Sequence, residues 1–170
     1  MFLAVDYTPY DQQMSPVSAV LNTATNPTPS QTALVALNEW MFELRAMPYR
    51  YSKRWETPAE VNSDKRGDCK GKAVALYERL RQNGACNVRL VIGKHRLHDR
   101  RTHAWIEWDT AQGTFLLDPT LNWTATRAER QDKSTYIPLY AFESGHKYRA
   151  LNPALMTPQD CWSHQVASRE

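Results

Sequence analysis

Between residues 31 and 46, apolar residues recur every three or four positions, the spacing that places them on one face of a helix. The residues concerned are Leu34, Leu37, Met41 and Leu44. Ser30 is placed to cap the start of this helix. Pro48 should lie beyond its end, because the residue before a proline avoids helical backbone. The pattern predicts an amphipathic helix with one face against a core.

Two further helices are predicted by their start signals. Thr57 and Glu60 form a capping box, with Pro58 at the first helical position, where no backbone N–H is needed. The next helix should begin near Cys69, with Asp68 or Gly67 as its cap, and should stop at Asn83–Gly84. Its apolar face comprises Cys69, Ala73, Leu76, Tyr77 and Leu80, whereas Lys70, Lys72, Glu78, Arg79 and Arg81 take its other faces.

After this helix, apolar and polar residues alternate, which predicts strands at residues 87–93, 103–108 and 114–117. A basic segment, Lys94 to Arg101, separates the first two strands. The turn signal Asp109–Gly113 predicts that the last two strands form a hairpin.

This hairpin allows two registers. If the loop is Asp109–Gln112, His103 lies directly opposite Asp118, with Cβ atoms about 4.5–5.5 Å apart. If the loop is Thr110–Gly113, Trp105 faces Asp118 and His103 is its diagonal neighbour. Both registers place His103 and Asp118 on the same face of the sheet, where the carboxylate can bond one imidazole nitrogen and fix the tautomer.

Composition excludes several classes of protein. A length of 170 residues suits one domain, and 42% hydrophobic and 23% charged residues are ordinary for a globular protein. The net charge of +3 is too small to indicate nucleic-acid binding, and no apolar run is long enough for membrane insertion. No signal peptide is visible, so the expected location is the cytoplasm, or the periplasm or the cell exterior if a leader has been removed.

Cys69 is the candidate nucleophile among three cysteines, of which at least one must be a free thiol. The unpaired amides and the dipole at a helix start stabilise a thiolate, and the same amides can donate to a developing oxyanion. The alternative is a structural cysteine packed beneath the helix. Cys86 and Cys161 are expected to be ordinary thiols.

Two histidines in the basic segment could offer imidazoles to a metal ion. His95 and His98 are, however, surrounded by the fixed positive charges of Lys94, Arg96, Arg100 and Arg101, which oppose cation binding. We therefore expect a solvated loop. Because this loop leads directly into His103, it could receive an acidic segment of a substrate.

Three short motifs carry a family resemblance. Gly67–Cys69, Thr102–Trp105 and Leu117–Thr120 resemble the motifs of transglutaminase-like domains, and together they are far more specific than any one of them. Trp55–Glu60 and Tyr136–Tyr140 are similar to segments of the bacterial transglutaminase-like cysteine proteinase family. The resemblance spans residues 38–148, most of the chain.

This resemblance implies an α+β, papain-like fold in which the nucleophile helix packs on an antiparallel sheet. It implies that Cys69 is the nucleophile, His103 the general base and acid, and Asp118 the residue that orients His103. Trp55 is a candidate indole donor to the oxyanion. We expect residues 1–30 to form a loosely ordered arm and residues 31–170 to form the transglutaminase-like catalytic domain.

Calcium dependence is not expected. Members of the bacterial family often read Gly-Asp-Cys-Glu-Asp, whereas Lys70 and Gly71 follow the cysteine here. Relatives that bind calcium use acidic residues near the nucleophile, and Arg66 has the wrong sign for such a ligand. The sequence predicts neither a cofactor nor a metal.

The predicted activity is that of a cysteine-nucleophile hydrolase, which cleaves a peptide or amide bond of a protein or peptide substrate through a thioester acyl-enzyme. With a lysine amine in place of water, the same triad would make a protein-glutamine transamidase. A third alternative is a non-catalytic binding module that kept the fold. The presence of Cys69, His103 and Asp118 together argues against it, because binding alone would not need all three.

Overall fold

A computed structural model of the chain describes residues 1–23, 31–132 and 134–151. The helices are α1 (Ser18–Leu21), α2 (Gln31–Ala46), α3 (Pro58–Asp64) and α4 (Cys69–Gln82). The strands are β1 (Phe2–Ala4), β2 (Val88–Arg96), β3 (His103–Thr110), β4 (Gly113–Leu117), β5 (Thr126–Arg127), β6 (Thr135–Glu143) and β7 (His146–Ala150). Ser30, Cys161 and the side chain of Leu34, which figure in the sequence predictions, lie outside what is described.

The strands form one antiparallel sheet in the order β1-β7-β6-β2-β3-β4-β5. Helix α4 packs on β2 and β3 at the centre of the sheet, and α2 and α3 pack on α4. The helix start at Cys69 and the strand start at His103 are thereby brought to the same end of the domain. The fold is α+β, as predicted from the sequence.

The main core lies between the helices and one face of the sheet. In α2, the periodic residues Leu37, Met41 and Leu44 are buried there, which confirms the amphipathic pattern. A smaller cluster covers the opposite face and includes Val91, Trp105 and Tyr136. The central strands are therefore apolar on both faces, which explains why their alternation is incomplete.

The helix starts follow the sequence prediction closely. Thr57 and Glu60 form the predicted capping box, with Pro58 at the first helical position. At α4, the choice between Asp68 and Gly67 is resolved in favour of Asp68, whose Oδ1 accepts from the backbone N–H groups of Lys70 and Gly71 at 3.0 and 3.1 Å.

Two regions depart from the sequence pattern. Lys72, predicted on a polar face of α4, is 1% exposed, and its Nζ donates to Met47 O at 2.6 Å. Residues 2–21 are more ordered than their lack of periodicity suggests: β1 pairs with β7, and Val17 and Leu21 enter the main core. The division between an arm at 1–30 and a catalytic domain at 31–170 stays a prediction.

The β3–β4 hairpin adopts the second of the two predicted registers. Ile106 pairs with Leu117 and Thr110 with Gly113, so the turn is only Ala111–Gln112. His103 and Asp118 are therefore diagonal rather than directly opposed, on one face of the sheet.

A glycine sets the spacing around His103. Gly93 of β2 is paired with His103, next to a register shift between β2 and β6. A Cβ at Gly93 would lie 2.2 Å from Ile137 O and 2.6 Å from Trp105 Cη2, so a side chain does not fit there. Over the described ranges, no helix is long and apolar enough to cross a bilayer.

Candidate active site

His103 and Asp118 are joined by a short hydrogen bond. His103 Nε2 lies 2.6 Å from Asp118 Oδ2, and Asp118 is completely buried. The His103 ring and the Cys69 side chain line the same cleft, and Cys69 is near enough to help raise the pKa of His103. Since Nε2 is occupied by Asp118, Nδ1 is the nitrogen left for Cys69. The structure thus brings the three predicted site residues together at one cleft.

Asp118 accepts hydrogen bonds from three other groups. The backbone N–H groups of Thr120 and Leu121 donate to Oδ1 at 2.9 and 3.1 Å, and the Tyr136 hydroxyl donates to Oδ2 at 3.0 Å. Burial alone would raise the pKa of Asp118, but His103 and the two backbone amides lower it below its usual value. The carboxylate is therefore held ionised inside the protein.

Tyr136 is a member of this cluster that the sequence analysis did not assign to the site. Burial and the Asp118 charge raise the pKa of Tyr136, so the phenol keeps its proton and remains a donor. Its oxygen accepts from Asn122 Nδ2 at 3.1 Å. The backbone of Tyr136 has φ of +53°, in the left-handed region that a bulky residue adopts only when its surroundings require it.

His103 gains basicity from its partners. Burial alone would lower the pKa of His103, but its interactions with Asp118 and Cys69 outweigh burial and raise the pKa to about 10. His95, predicted in a solvated loop, lies within β2 with its ring centroid 4.9 Å from that of Tyr136 and 6.1 Å from that of His103. Burial and the His103 charge lower the pKa of His95, so it is a neutral neighbour.

Cys69 opens helix α4 and is only 9% exposed. The cap residue before it, Asp68, is buried and also accepts from the backbone N–H of Ser52 at 3.2 Å. The Lys70 ammonium bonds Asp68 Oδ2 and donates to Ser52 O at 3.0 Å, with the Tyr51 ring centroid 5.3 Å away. The helix start is thereby tied to the loop that precedes α3.

A cleft runs beside Cys69 and His103. It is a cavity of about 410 Å³, and Trp55, the predicted oxyanion donor, lines it together with Tyr49 and Tyr51. Trp55 is 1% exposed, so its ring is fixed by packing. A second cavity of about 510 Å³ reaches the same cysteine and histidine from the side of His95 and Leu121. Cys86 lies elsewhere, with its thiol directed at Gly84 O.

Comparison with known proteins gives a consistent result. A family model described as the transglutaminase-like superfamily matches residues 17–127, more than half of the chain. Calcium-bound LapG of Legionella pneumophila superposes with a TM-score of 0.59 at 16% identity, covering 96% of this chain and 93% of LapG. EGTA-treated LapG gives 0.60 at 17% identity, covering 96% and 91%. No curated protein matches by sequence. The predicted transglutaminase-like fold is confirmed.

The calcium-bound form of LapG raises the question of whether this chain holds the ion. Calcium takes about six to eight oxygen ligands. At the start of α4, however, the Lys70 ammonium bonds the Asp68 carboxylate and Ser52 O, where a cation would compete for the same oxygens. A side chain at Gly71 would meet Val61 Cγ2 at 2.9 Å, so an acidic ligand does not fit there in the present packing.

Glu56 is the remaining carboxylate near Asp68. Its buried Oε2 has no hydrogen-bond partner in the described part of the chain, and burial with the Asp68 charge raises its pKa, which favours the neutral acid. No cluster of three or more His, Cys, Asp or Glu side chains suited to a metal occurs within the described ranges. The donor set at this helix start does not fit calcium.

Proposed function

Because the chain belongs to the transglutaminase-like superfamily, we propose that it is a cysteine hydrolase that cleaves a peptide or amide bond through Cys69, His103 and Asp118. The observation that carries this proposal is the position of His103, which bonds the buried Asp118 carboxylate with one nitrogen and lines the same cleft as the Cys69 thiol. Nucleophile, base and orienting group stand in the order that covalent acyl transfer needs.

In the proposed mechanism, the Cys69 thiolate attacks the carbonyl carbon while His103 holds the proton. The carbonyl π electrons move to oxygen, and the candidate donors to that oxyanion are the backbone N–H of Cys69 and the indole N–H of Trp55. As the C–N bond breaks, the His103 imidazolium gives its proton to the leaving nitrogen, which leaves a thioester on Cys69. Neutral His103 then takes a proton from water, whose oxygen attacks the thioester, and the thiolate leaves with restoration of the imidazolium.

Asp118 has a supporting role in both half-reactions. Its carboxylate accepts from His103 Nε2, which fixes the ring with Nδ1 towards Cys69 and stabilises the imidazolium. Tyr136 acts one step further out, because its hydroxyl and the two backbone amides occupy the other lone pairs of Asp118. We assign Tyr136 as a positioning residue.

A feature of the cleft favours water over a lysine amine as the acyl acceptor. Lys53, Lys70, Arg100 and Arg101 line it, against one carboxylate, Asp68, which Lys70 already pairs. An incoming lysine side chain is a cation at neutral pH and would be repelled there, whereas water carries no charge. Transamidation remains the second candidate because the same triad would serve it.

An activity-based thiol probe separates the hydrolase from a binding module. The probe should label Cys69 in the wild type before Cys86 or Cys161, and intact-mass measurement with candidate peptides should detect the thioester. Cys69→Ala should abolish both signals, and His103→Ala should slow labelling of Cys69 without changing that of Cys86. Equal labelling of all thiols, unchanged in His103→Ala, would leave Cys69 a structural cysteine.

A further inference from the structure

The cleft beside Cys69 and His103 carries positive charge without matching negative charge. Among its lining residues, Lys53, Arg100 and Arg101 have no ion-pair partner in the part of the chain that the structure describes. The one acidic residue of the lining, Asp68, is buried and is committed to Lys70. Three cations therefore face the cleft with their charge available to a ligand.

The turn that carries Arg100 and Arg101 is held in place by hydrogen bonds of Asp99. Asp99, the acidic residue next to them, directs Oδ2 at the backbone N–H of Arg96, at 2.8 Å, rather than at a guanidinium. Its carbonyl oxygen accepts from Lys94 Nζ at 2.9 Å. Because Asp99 organises the turn without pairing Arg100 or Arg101, the arginines are positioned before any ligand arrives, which lowers the entropic cost of binding.

The charges come from two different loops that line the cleft. Lys53 lines the cavity of about 410 Å³ from the loop before α3, whereas Arg100 and Arg101 line it from the turn between β2 and β3. The same two arginines also line the second cavity of about 510 Å³ that reaches Cys69 and His103. A peptide that occupies either cavity at the Cys69 thiol would therefore lie close to the arginines.

We propose that the substrate is a polypeptide segment with aspartate or glutamate side chains flanking the cleaved bond, bound by Lys53, Arg100 and Arg101. This proposal rests on the proposed function, since it places a peptide across Cys69. Tyr51, whose ring centroid lies 5.6 Å from Arg101 Cζ, adds an apolar surface between the charges. A peptide fits better than a nucleic acid, because the whole chain has 21 basic against 18 acidic residues and the three unpaired cations are confined to one cleft.

The test measures binding without turnover. Full-length Cys69→Ala is titrated, by fluorescence anisotropy, into a labelled peptide with alternating Asp and Glu and into its counterpart with Asn and Gln. We expect the acidic peptide to bind about tenfold more tightly at low salt, and the difference to shrink as salt is raised. Arg100→Gln with Arg101→Gln, on the Cys69→Ala background, should remove most of this difference.

The matched control is Arg96→Gln with Arg130→Gln, which removes the same net charge at two exposed arginines outside the cleft. It should keep the preference. Equal binding of both peptides, or an equal loss in the control, would overturn the proposal, as would an oligonucleotide of equal charge that displaces the acidic peptide at lower concentration. If the acidic preference holds but wild-type Cys69 forms no acyl-enzyme, the ligand class stands and the hydrolase function fails.

Discussion

Two buried aspartates lie near the candidate nucleophile, and they differ in their hydrogen-bond and ion-pair partners. Asp68 is 1% exposed and bonds the backbone of α4, Ser52 N–H and the Lys70 ammonium. Asp118 is fully buried and bonds His103, Tyr136 and two backbone amides. Both oxygens of each carboxylate have hydrogen-bond partners in the protein, as a buried carboxylate requires.

The difference lies in the cation. The Lys70 ammonium bonds both Asp68 and Ser52 O, so its pair with Asp68 fixes the helix start. His103 can give up its proton and regain it, so Asp118 with His103 forms a pair that can take part in proton transfer. An equally buried aspartate is thereby suited to a structural role at position 68 and to a role in proton transfer at position 118.

Changing Asp118 should produce the largest effect. Asp118→Asn keeps the size of the side chain but weakens the imidazolium and can favour the wrong tautomer, so turnover should fall on the order of 10²–10⁴-fold in a protein that still folds. Acyl-enzyme formation and thermal unfolding measure the two properties. Asp118→Ala should lose more activity, and full activity in that variant with normal folding would reduce the site to a Cys–His dyad.

The raised pKa of His103 should make the stability of the folded protein depend on pH, and the direction of the shift sets the direction of that dependence. Folding raises the pKa of His103 from 6.5 to about 10, so the stabilisation is complete below about pH 6.5 and is lost as the pH rises through about 10. Urea unfolding of the wild type and His103→Gln should therefore differ by a few kcal/mol near neutral pH. The difference should shrink towards pH 10. A difference that is constant across this range would mean that His103 does not bind its proton more tightly in the folded protein.

Asp68→Ala should act on stability rather than on proton transfer. It removes the helix cap and leaves the Lys70 ammonium unpaired, so the free energy of unfolding should fall by about 2–4 kcal/mol. Asp64→Ala is the matched control, because Asp64 pairs with Arg66 at the surface and should contribute within about 0.5 kcal/mol. Similar losses in both variants would remove the distinction between a buried and a surface pair.

The smallest effect is expected from chelation. Because the Lys70 ammonium already bonds the oxygens at the start of α4, EGTA should leave the wild-type melting temperature unchanged within about 1 °C. Lys70→Met, which removes the ammonium but keeps the stem, should lower the free energy of unfolding by about 1–2 kcal/mol. A wild-type melting temperature that falls in EGTA and recovers with calcium would contradict the argument that the Lys70 ammonium takes the position of a bound cation.

Local patterns predicted the reactive half of the molecule well. The capping box at Thr57, the helix start at Cys69 and the β3–β4 hairpin each arise from residues close in sequence, and the hairpin left only its register open. The β6–β7 hairpin was missed although Ser144–Gly145 is a two-residue turn with both φ angles positive, at +49° and +83°. Strand β6 was not predicted because it contains Pro138, and proline is disfavoured inside strands.

Contacts between distant residues could not be read from such patterns. Tyr136 reaches Asp118 only because β6 pairs with β2, and the pairing of β1 with β7 joins opposite parts of the chain. A lysine on α4 is expected to be solvated, but the carbonyl of Met47 gives the Lys72 ammonium a buried partner. These features depend on the tertiary arrangement.

The missing side chain at position 93 gives the domain a point of fragility away from its reactive groups. Any larger residue there would push β2 away from Ile137 and Trp105, and this would shift its position relative to His103, the residue of β3 that pairs with Gly93. A genetic screen for inactive alleles should therefore return substitutions at Gly93 beside those of the cleft. In such a collection, a residue with no functional group of its own would be as intolerant of change as a nucleophile.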